Sequence, residues 1–169
     1  ISTEAYNATT EIPTVMACQF NEAIGKATWR IRDGVTTSAA GTNKTHFPYP
    51  AGIRGRIGRG GEGYGFNGYI AEVFVYDRVL TNDEKARINT YLSVKYGLSV
   101  PAAEHQYALD ETYHNDVFGI AQDNTFALAQ STSESVSLDD ILRISSPSSL
   151  GNGDYLICGN DNGAVTFGA

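Results

Sequence analysis

The segment from 81 to 98, TNDEKARINTYLSVKYGL, carries the clearest structural pattern in the sequence. Thr81 is followed three residues later by Glu84, which is the spacing of a capping box at a helix N-terminus. Gly97 can take the left-handed conformation that ends a helix. We therefore predict one short helix over about 82–96, with one apolar stripe that consists of Ile88, Tyr91, Leu92 and Tyr96.

The rest of the chain favours strands joined by tight turns. Eighteen glycines, ten tyrosines and seven phenylalanines are typical of β-structure. One strand-length run is PTVMACQF at 13–20, and a hairpin is predicted around Asp33 and Gly34, a dipeptide suited to a two-residue turn. The predicted fold class is all-β with one short helix.

The run FNGYIAEVFVYDRVL, residues 66–80, predicts a long interior strand. Ala71, Val73 and Val75 would share one face, and Glu72 would be the only polar residue on the other, so both faces are expected to be covered. Further strand-length runs occupy 116–122, 126–146 and 153–168.

Charge divides the chain near residue 100. Twelve basic against nineteen acidic residues give a net charge of −7, which argues against nucleic acid as a partner. Residues 100–169 hold one basic residue, Arg143, against ten acidic ones, whereas residues 1–99 hold eleven basic against nine acidic ones. We predict two units, 1–99 and 100–169, of which the second is acidic and incomplete.

Neither a bilayer-spanning run of about 20 apolar residues nor a secretory leader is recognisable in the sequence. Direct membrane insertion is therefore not expected. The chain opens on Ile1 and closes on VTFGA, so we expect it to be a piece of a longer polypeptide.

The stretch GIRGRIGRGGEGYGFNGY at 52–69 contains the spacing G-x-G-x-x-G at Gly58, Gly60 and Gly63. A dinucleotide site needs such glycines to follow a strand and open a helix, but here the helix begins about twenty residues later. The interspersed arginines Arg54, Arg56 and Arg59 lie in an acidic protein, so an RNA-binding segment is also disfavoured. We interpret the stretch as a close-packed strand and a turn.

Residues 53–100, with RGRIGRGGEGYGFNGYIAEVFVYDRVLTNDEKARINTYLSVKYGLSV, resemble the closing half of a laminin-G-like, concanavalin-A-like jelly roll. YHNDVFGIAQDN and DYLICGNDNGAVT resemble the uncharacterised β module that follows such jelly rolls in large Bacteroidota surface proteins. The sequence departs from that module's pattern at Phe118, Gln122 and Cys158. The resemblance implies a partial jelly-roll sandwich over 1–99, with its opening half missing, and the start of a second β module over 100–169.

The resemblance also implies a function. Such proteins are exported adhesins or gliding-motility surface proteins, and many are cargo of the type IX secretion machinery, so an extracellular, cell-surface location is expected. A glycan or a surface protein would be the partner. Two alternatives are a binding module of a secreted polysaccharide-degrading enzyme and a structural spacer without a ligand.

The sequence offers little that is typical of a catalytic site. No strand carries the alternating acids of jelly-roll glycosidases, and Asp139-Asp140 suits a solvated turn. No G-x-S-x-G elbow is present. His105 and His114 lie in the boundary segment, where we expect them at the surface rather than as zinc ligands. We predict no catalytic residues.

Binding sites are predicted at two sets of residues. Tyr49, Tyr64 and Phe66, in loops, could stack on sugar rings, although an aromatic residue at a sandwich rim more often closes the core. Turn oxygens in the acidic unit suit calcium, or simply stabilise turns; the candidate ligands are Asp116, Asp123, Asn124, Asn160, Asp161 and Asn162. Cys18 and Cys158 are more simply two separately buried thiols than a disulfide.

Overall fold

The computed structural model describes residues 13–21, 25–32, 35–41, 57–58, 65–107, 112–134 and 142–161. Its elements are β1 Thr14–Asn21, β2 Gly25–Arg32, β3 Val35–Gly41, α1 Asn82–Tyr96, a short 3-10 turn Ala102–Glu104, β4 Asn115–Asp123, β5 Leu128–Gln130, β6 Thr132–Glu134, β7 Arg143–Ser145 and β8 Asp154–Asn160. The predicted β-rich class with one helix is confirmed, while the jelly-roll arrangement stays a prediction.

The described residues contain three antiparallel sheets, with strand orders β1-β2-β3, β5-β4-β8 and β6-β7. Arg32 of β2 is opposite Val35 of β3, so the predicted hairpin with a two-residue connection at 33 and 34 is confirmed. The predicted runs at 13–20 and 116–122 correspond to β1 and β4. The run at 126–146 is divided among β5, β6 and β7, and residues 135–141, which include Asp139 and Asp140, lie outside the described residues.

The helix forms as its sequence predicts. The Thr81 side chain accepts a hydrogen bond from the Glu84 amide, the Glu84 carboxylate accepts from the Thr81 amide, and Gly97 is left-handed at φ 66°. The predicted stripe packs inward, but Asn89, Thr90 and Ser93 are buried as well. Residues 89–94 of α1 are thus all buried, since this part of the helix lies between β4 and the connection that follows the helix.

The core joins the helix to the second sheet. Tyr91, Leu92 and Val94 of α1 pack with Ala121 of β4 and Leu128 of β5. The predicted boundary near residue 100 stays a prediction, and α1 shares its core with strands on the other side of that position.

Strand β4 is the central strand of its sheet, and residues 117–121 are buried on both faces. Two glycines permit its close approach to neighbouring backbone: a Cβ on Gly119 would lie 2.5 Å from the Leu156 carbonyl oxygen, and one on Gly159 would collide with the Tyr113 carbonyl oxygen. Asp116 has φ 43° where the β4–β8 register shifts, as at a β-bulge.

The prediction of a long covered strand at 66–80 is wrong. All of these residues are described, and none of them belongs to a strand. Side-chain contacts with α1, rather than a ladder, hold the segment in place, and one of its faces is open to solvent.

No helix among the described residues is long and apolar enough to cross a bilayer.

Candidate functional site

The segment 66–80 is attached to α1 through the carboxylate of Glu72. Tyr91 donates its hydroxyl proton to Oε1 at 2.8 Å, Tyr96 donates to Oε2 at 3.0 Å, and Lys95 Nζ donates to Oε2 at 3.1 Å. Lys95 also donates to the Tyr91 hydroxyl. Because the donors come from two successive turns of α1, Glu72 holds the segment along the last part of the helix.

This cluster favours its charged forms. Burial would raise the pKa of Glu72, but the hydrogen bonds from Tyr91, Lys95 and Tyr96 outweigh it and keep the pKa below its usual value. The hydrogen bond to Tyr91 raises the pKa of Lys95. The pKa of Tyr91 is raised, chiefly by burial. The carboxylate and the ammonium are therefore both charged at neutral pH.

A second contact, made by Phe74, is apolar. Its ring meets Tyr91 edge-on at a centroid distance of 6.0 Å and Phe126 at 6.2 Å. Tyr91 in turn stacks on Phe126 at 4.8 Å. Edge-on and stacked pairs of this kind stabilise beyond the area that they bury. Glu72 and Phe74, two residues apart, thus attach one side of the segment to the core.

The other side of the segment faces solvent. The relative exposure of Tyr69 is 102%, that of Val75 is 88% and that of Val73 is 48%, and Ala71 is also exposed. Ala71, Val73 and Val75 alternate with the inward-facing Glu72 and Phe74, and Ile70, between Tyr69 and Ala71, is 47% exposed. We call Tyr69, Ala71, Val73 and Val75 the contact row. Exposed apolar side chains that lie next to one another make this row a candidate site of interaction.

A second polar cluster surrounds Asp123 at the end of β4. Arg87 contacts both carboxylate oxygens through Nη2, at 3.0 Å to Oδ1 and 2.9 Å to Oδ2. Tyr155 donates its hydroxyl proton to Oδ2 at 2.9 Å, and the Thr125 amide donates to Oδ1 at 2.8 Å. Asp123 is only 1% exposed, so this carboxylate is buried with all its partners supplied by the protein.

These partners determine the ionisation of the cluster. Burial would raise the pKa of Asp123, but the hydrogen bonds from Arg87, Thr125 and Tyr155 lower it below the usual value. Burial, followed by the hydrogen bond to Asp123, raises the pKa of Tyr155. A carboxylate whose oxygens all accept from fixed donors is poorly suited to act as a general base. The cluster joins α1, β4 and β8.

The predicted sugar-stacking residues are only partly described. Tyr49 and Tyr64 lie outside the described residues. Phe66 is 45% exposed and begins the segment that carries the contact row. Sequence reasoning missed Tyr69, although counting back by twos from Val75 and Val73 places it on the same face.

The six predicted calcium ligands do not meet at one place. Asp116 and Asn160 are together, with Asn160 Nδ2 donating to Asp116 Oδ2 at 2.9 Å, and Asp161 follows Asn160. Asp123 and Asn124 are at the opposite end of β4, about 20 Å away or more at the usual rise of a strand. Asn162 lies outside the described residues. The part of the chain that is described contains no cluster of three or more His, Cys, Asp or Glu side chains able to hold a metal ion.

Two other predictions need correction. His105 is not at the surface but is 7% exposed, because the connection after α1 folds back onto the helix. Cys18 and Cys158 are both free thiols, but Cys18 is exposed because it is on the outer face of β1 with Met16 and Phe20.

The fold and the two polar clusters define a small β-rich module organised around one capped helix. A family model described as Domain of unknown function (DUF8202) matches residues 84–169, just over half of the chain, and the chain belongs to this family. The match covers α1 from Glu84 onwards and all the described elements after it, and the contact row precedes it. Neither a curated protein nor a solved structure matches the chain.

Proposed function

We propose that this chain is a non-catalytic segment of a large exported bacterial cell-surface protein of the adhesin type, secreted by the type IX route. It works by binding a glycan or another surface protein. The contact row is the observation that carries this proposal. The jelly-roll resemblance of residues 53–100 supports the extracellular location.

The contact row has the properties of a binding surface. Its side chains are apolar or aromatic, and Tyr69 presents both of its ring faces together with a hydroxyl group. A tyrosine offers a large rigid contact area with a polar end, which suits both sugar rings and protein surfaces. The attachment of Glu72 and Phe74 to α1 fixes the row before any partner arrives, so binding loses less conformational entropy.

The charged groups support binding rather than catalysis. Glu72 and Asp123 are each held by three different residues of the protein. Such carboxylates stabilise structure and are not available to move protons to or from a substrate. The exposed aromatic side chain of Tyr69 also favours the alternative of a binding module within a secreted polysaccharide-degrading enzyme.

A binding experiment with matched tyrosine variants tests the proposal. The purified chain is titrated with soluble plant and host polysaccharides and is applied to an array of glycans and purified outer-membrane proteins. We expect Tyr69→Ala to weaken binding at least tenfold. Tyr113→Ala is the control, because Tyr113 is also exposed, at 53%, but is not part of the row. Absence of binding to every probe, or equal losses in the two variants, contradicts the proposal and supports a spacer role.

Location needs its own measurement. Intact cells that produce the full-length protein are treated with a protease that cannot cross the outer membrane, with and without an active type IX machinery. We expect the protein to be digested only when secretion is active. Protection in both strains contradicts the surface location.

A further inference from the structure

His105 is buried where the connection after α1 returns to the helix. It directly follows the 3-10 turn Ala102–Glu104 and is 7% exposed. The next residue, Gln106, donates its amide proton to Thr90 Oγ1 of α1 at 2.8 Å. One residue before it, Glu104 accepts from Asn89 at 3.3 Å. His105 thus lies at the centre of the contact between the connection and the helix.

The hydrogen bonds around Thr90 fix the tautomer of His105. Thr90 Oγ1 donates its only proton to the Ala86 carbonyl at 2.9 Å, so it can only accept from His105 Nδ1, which is 3.4 Å away. The proton is therefore on Nδ1, and Nε2 carries a lone pair. Nε2 is buried and has no hydrogen-bond partner among the described residues.

The groups around His105 do not favour a second proton. His114, just before β4, carries a buried Nδ1 that also has no partner in the described part of the chain, and its charge opposes that of His105. Glu104 is the adjacent acid, but its carboxylate accepts from Thr36 of β3 and Asn89 of α1. A proton on Nε2 would thus place an imidazolium in a buried site without an acceptor for its new N–H group.

We propose that His105 is an acid-sensitive latch: uptake of a proton from solvent at Nε2 releases the connection 98–107 from α1. The neutral imidazole holds the connection against Thr90, and the charged imidazolium requires exposure to water. The release breaks the contacts of Gln106 and Glu104 with the helix. A mildly acidic environment therefore loosens the module while Glu72 and Asp123, whose pKa values are lowered by their hydrogen bonds, are still ionised.

The direction in which stability changes with pH follows from proton linkage. Burial, and then the charge of His114, lower the pKa of His105 from 6.5 to about 4. The unfolded chain thus takes up a proton at a higher pH than the folded chain, and stability falls as the pH decreases from about 6.5 to about 4. Across this window, the unfolding constant is expected to rise by up to ~300-fold, since each pH unit contributes a factor of up to about ten.

Two measurements on the 169-residue chain test the latch. Long-range ¹H–¹⁵N NMR of the histidine rings at pH 7.5 should show His105 protonated on Nδ1. Urea unfolding followed by far-UV circular dichroism, in buffers that contain EDTA, should show stability falling between pH 6.5 and 4.5. His105→Gln should be nearly insensitive in that window but should still lose stability below pH 4.5, where the carboxylates titrate. His114→Gln should be intermediate, because it removes only the opposing charge.

Three results would each overturn the proposal. The first is a His105 ring protonated on Nε2. The second is a pH dependence between 6.5 and 4.5 that is the same in His105→Gln and in the unsubstituted chain. The third is a change in stability when EDTA is replaced with Zn²⁺, if the His105→Gln variant does not show this change. That result would assign the Nε2 lone pair to a metal ion instead. The NMR result does not require any variant to fold.

Discussion

The Tyr91 hydroxyl donates to Glu72 Oε1 at 2.8 Å and accepts a hydrogen bond from Lys95. Tyr91 is only 1% exposed, so its ring belongs to the core while its hydroxyl binds a segment at the surface. This single side chain therefore connects the packing of α1 on β4 with the position of the contact row. Loss of its hydroxyl should affect both.

Tyr91→Phe should lower the free energy of unfolding by about 1–2 kcal/mol, since Lys95 and Glu72 each lose the buried Tyr91 hydroxyl as a partner and keep only their other hydrogen bonds. Tyr96→Phe is the matched variant, because it removes one hydrogen bond to the same carboxylate from a half-buried residue. Its cost should be smaller, about 0.5–1 kcal/mol. Urea denaturation at pH 7 measures both, and equal costs would contradict a central role of Tyr91.

Asp123→Asn should destabilise the protein by about 2–3 kcal/mol, because it leaves the Arg87 guanidinium without its counter-charge. The expected loss is below the usual cost of breaking a buried ion pair, since the Arg87 side chain is 37% exposed. The control is Glu134→Gln, which breaks the exposed pair of Glu134 with Arg143, 3.5 Å apart. That change should cost less than about 0.5 kcal/mol. Thermal or urea unfolding measures both losses of stability. A larger loss in Glu134→Gln than in Asp123→Asn would contradict the stabilising role of Asp123.

Acid should weaken the N-terminus of α1. The Arg78 guanidinium, with the Thr81 amide, lowers the pKa of Glu84 to about 2, compared with 4.5 for a free side chain. Its stabilising effect is therefore complete above about pH 4.5 and is lost as the pH falls towards 2. The difference in urea midpoint between the unsubstituted chain and Glu84→Gln should shrink between pH 5 and pH 2.5. A difference that does not change with pH would contradict the role of the charged carboxylate.

Alanine at Gly119 or Gly159 should lower the free energy of unfolding by more than about 2 kcal/mol. Each new Cβ would meet a backbone carbonyl that cannot move aside, which disrupts the packing of β4 and β8. Gly65→Ala serves as the control, since a Cβ at that position would meet no atom within 4 Å beyond its chain neighbours. Comparison of the melting temperatures of the three variants tests this. A melting temperature for Gly119→Ala equal to that of Gly65→Ala would contradict the close approach.

The elements that the sequence predicts well have local causes. The helix is specified by Thr81, Glu84 and Gly97, all within or next to it, and the hairpin by the dipeptide between β2 and β3. Strand β4 follows from a short apolar run. In each of these cases the interactions that define the element lie close together in the chain.

The predictions that failed depend on distant contacts. Residues 66–80 have the alternation of a strand, but a strand also needs a ladder partner, and local pattern cannot supply one. The alternation still separates Glu72 and Phe74 from the contact row. His105 is buried because residues 98–107 return to α1, which the spacing of histidines does not reveal. The calcium prediction stays a prediction; its turns lie at opposite ends of β4, and sequence motifs give no distance between them.

Hydroxyl-radical footprinting of the purified chain, read by mass spectrometry, tests most directly whether the contact row faces solvent while Glu72 and Phe74 attach it to α1. The two tyrosines Tyr69 and Tyr91 have the same chemistry and differ in exposure, 102% against 1%. The account predicts rapid oxidation of Tyr69 and strong protection of Tyr91 in the folded chain, with equal rates in urea. Protection of Tyr69 to the level of Tyr91 would show that the row is covered, and would contradict its role as a binding surface.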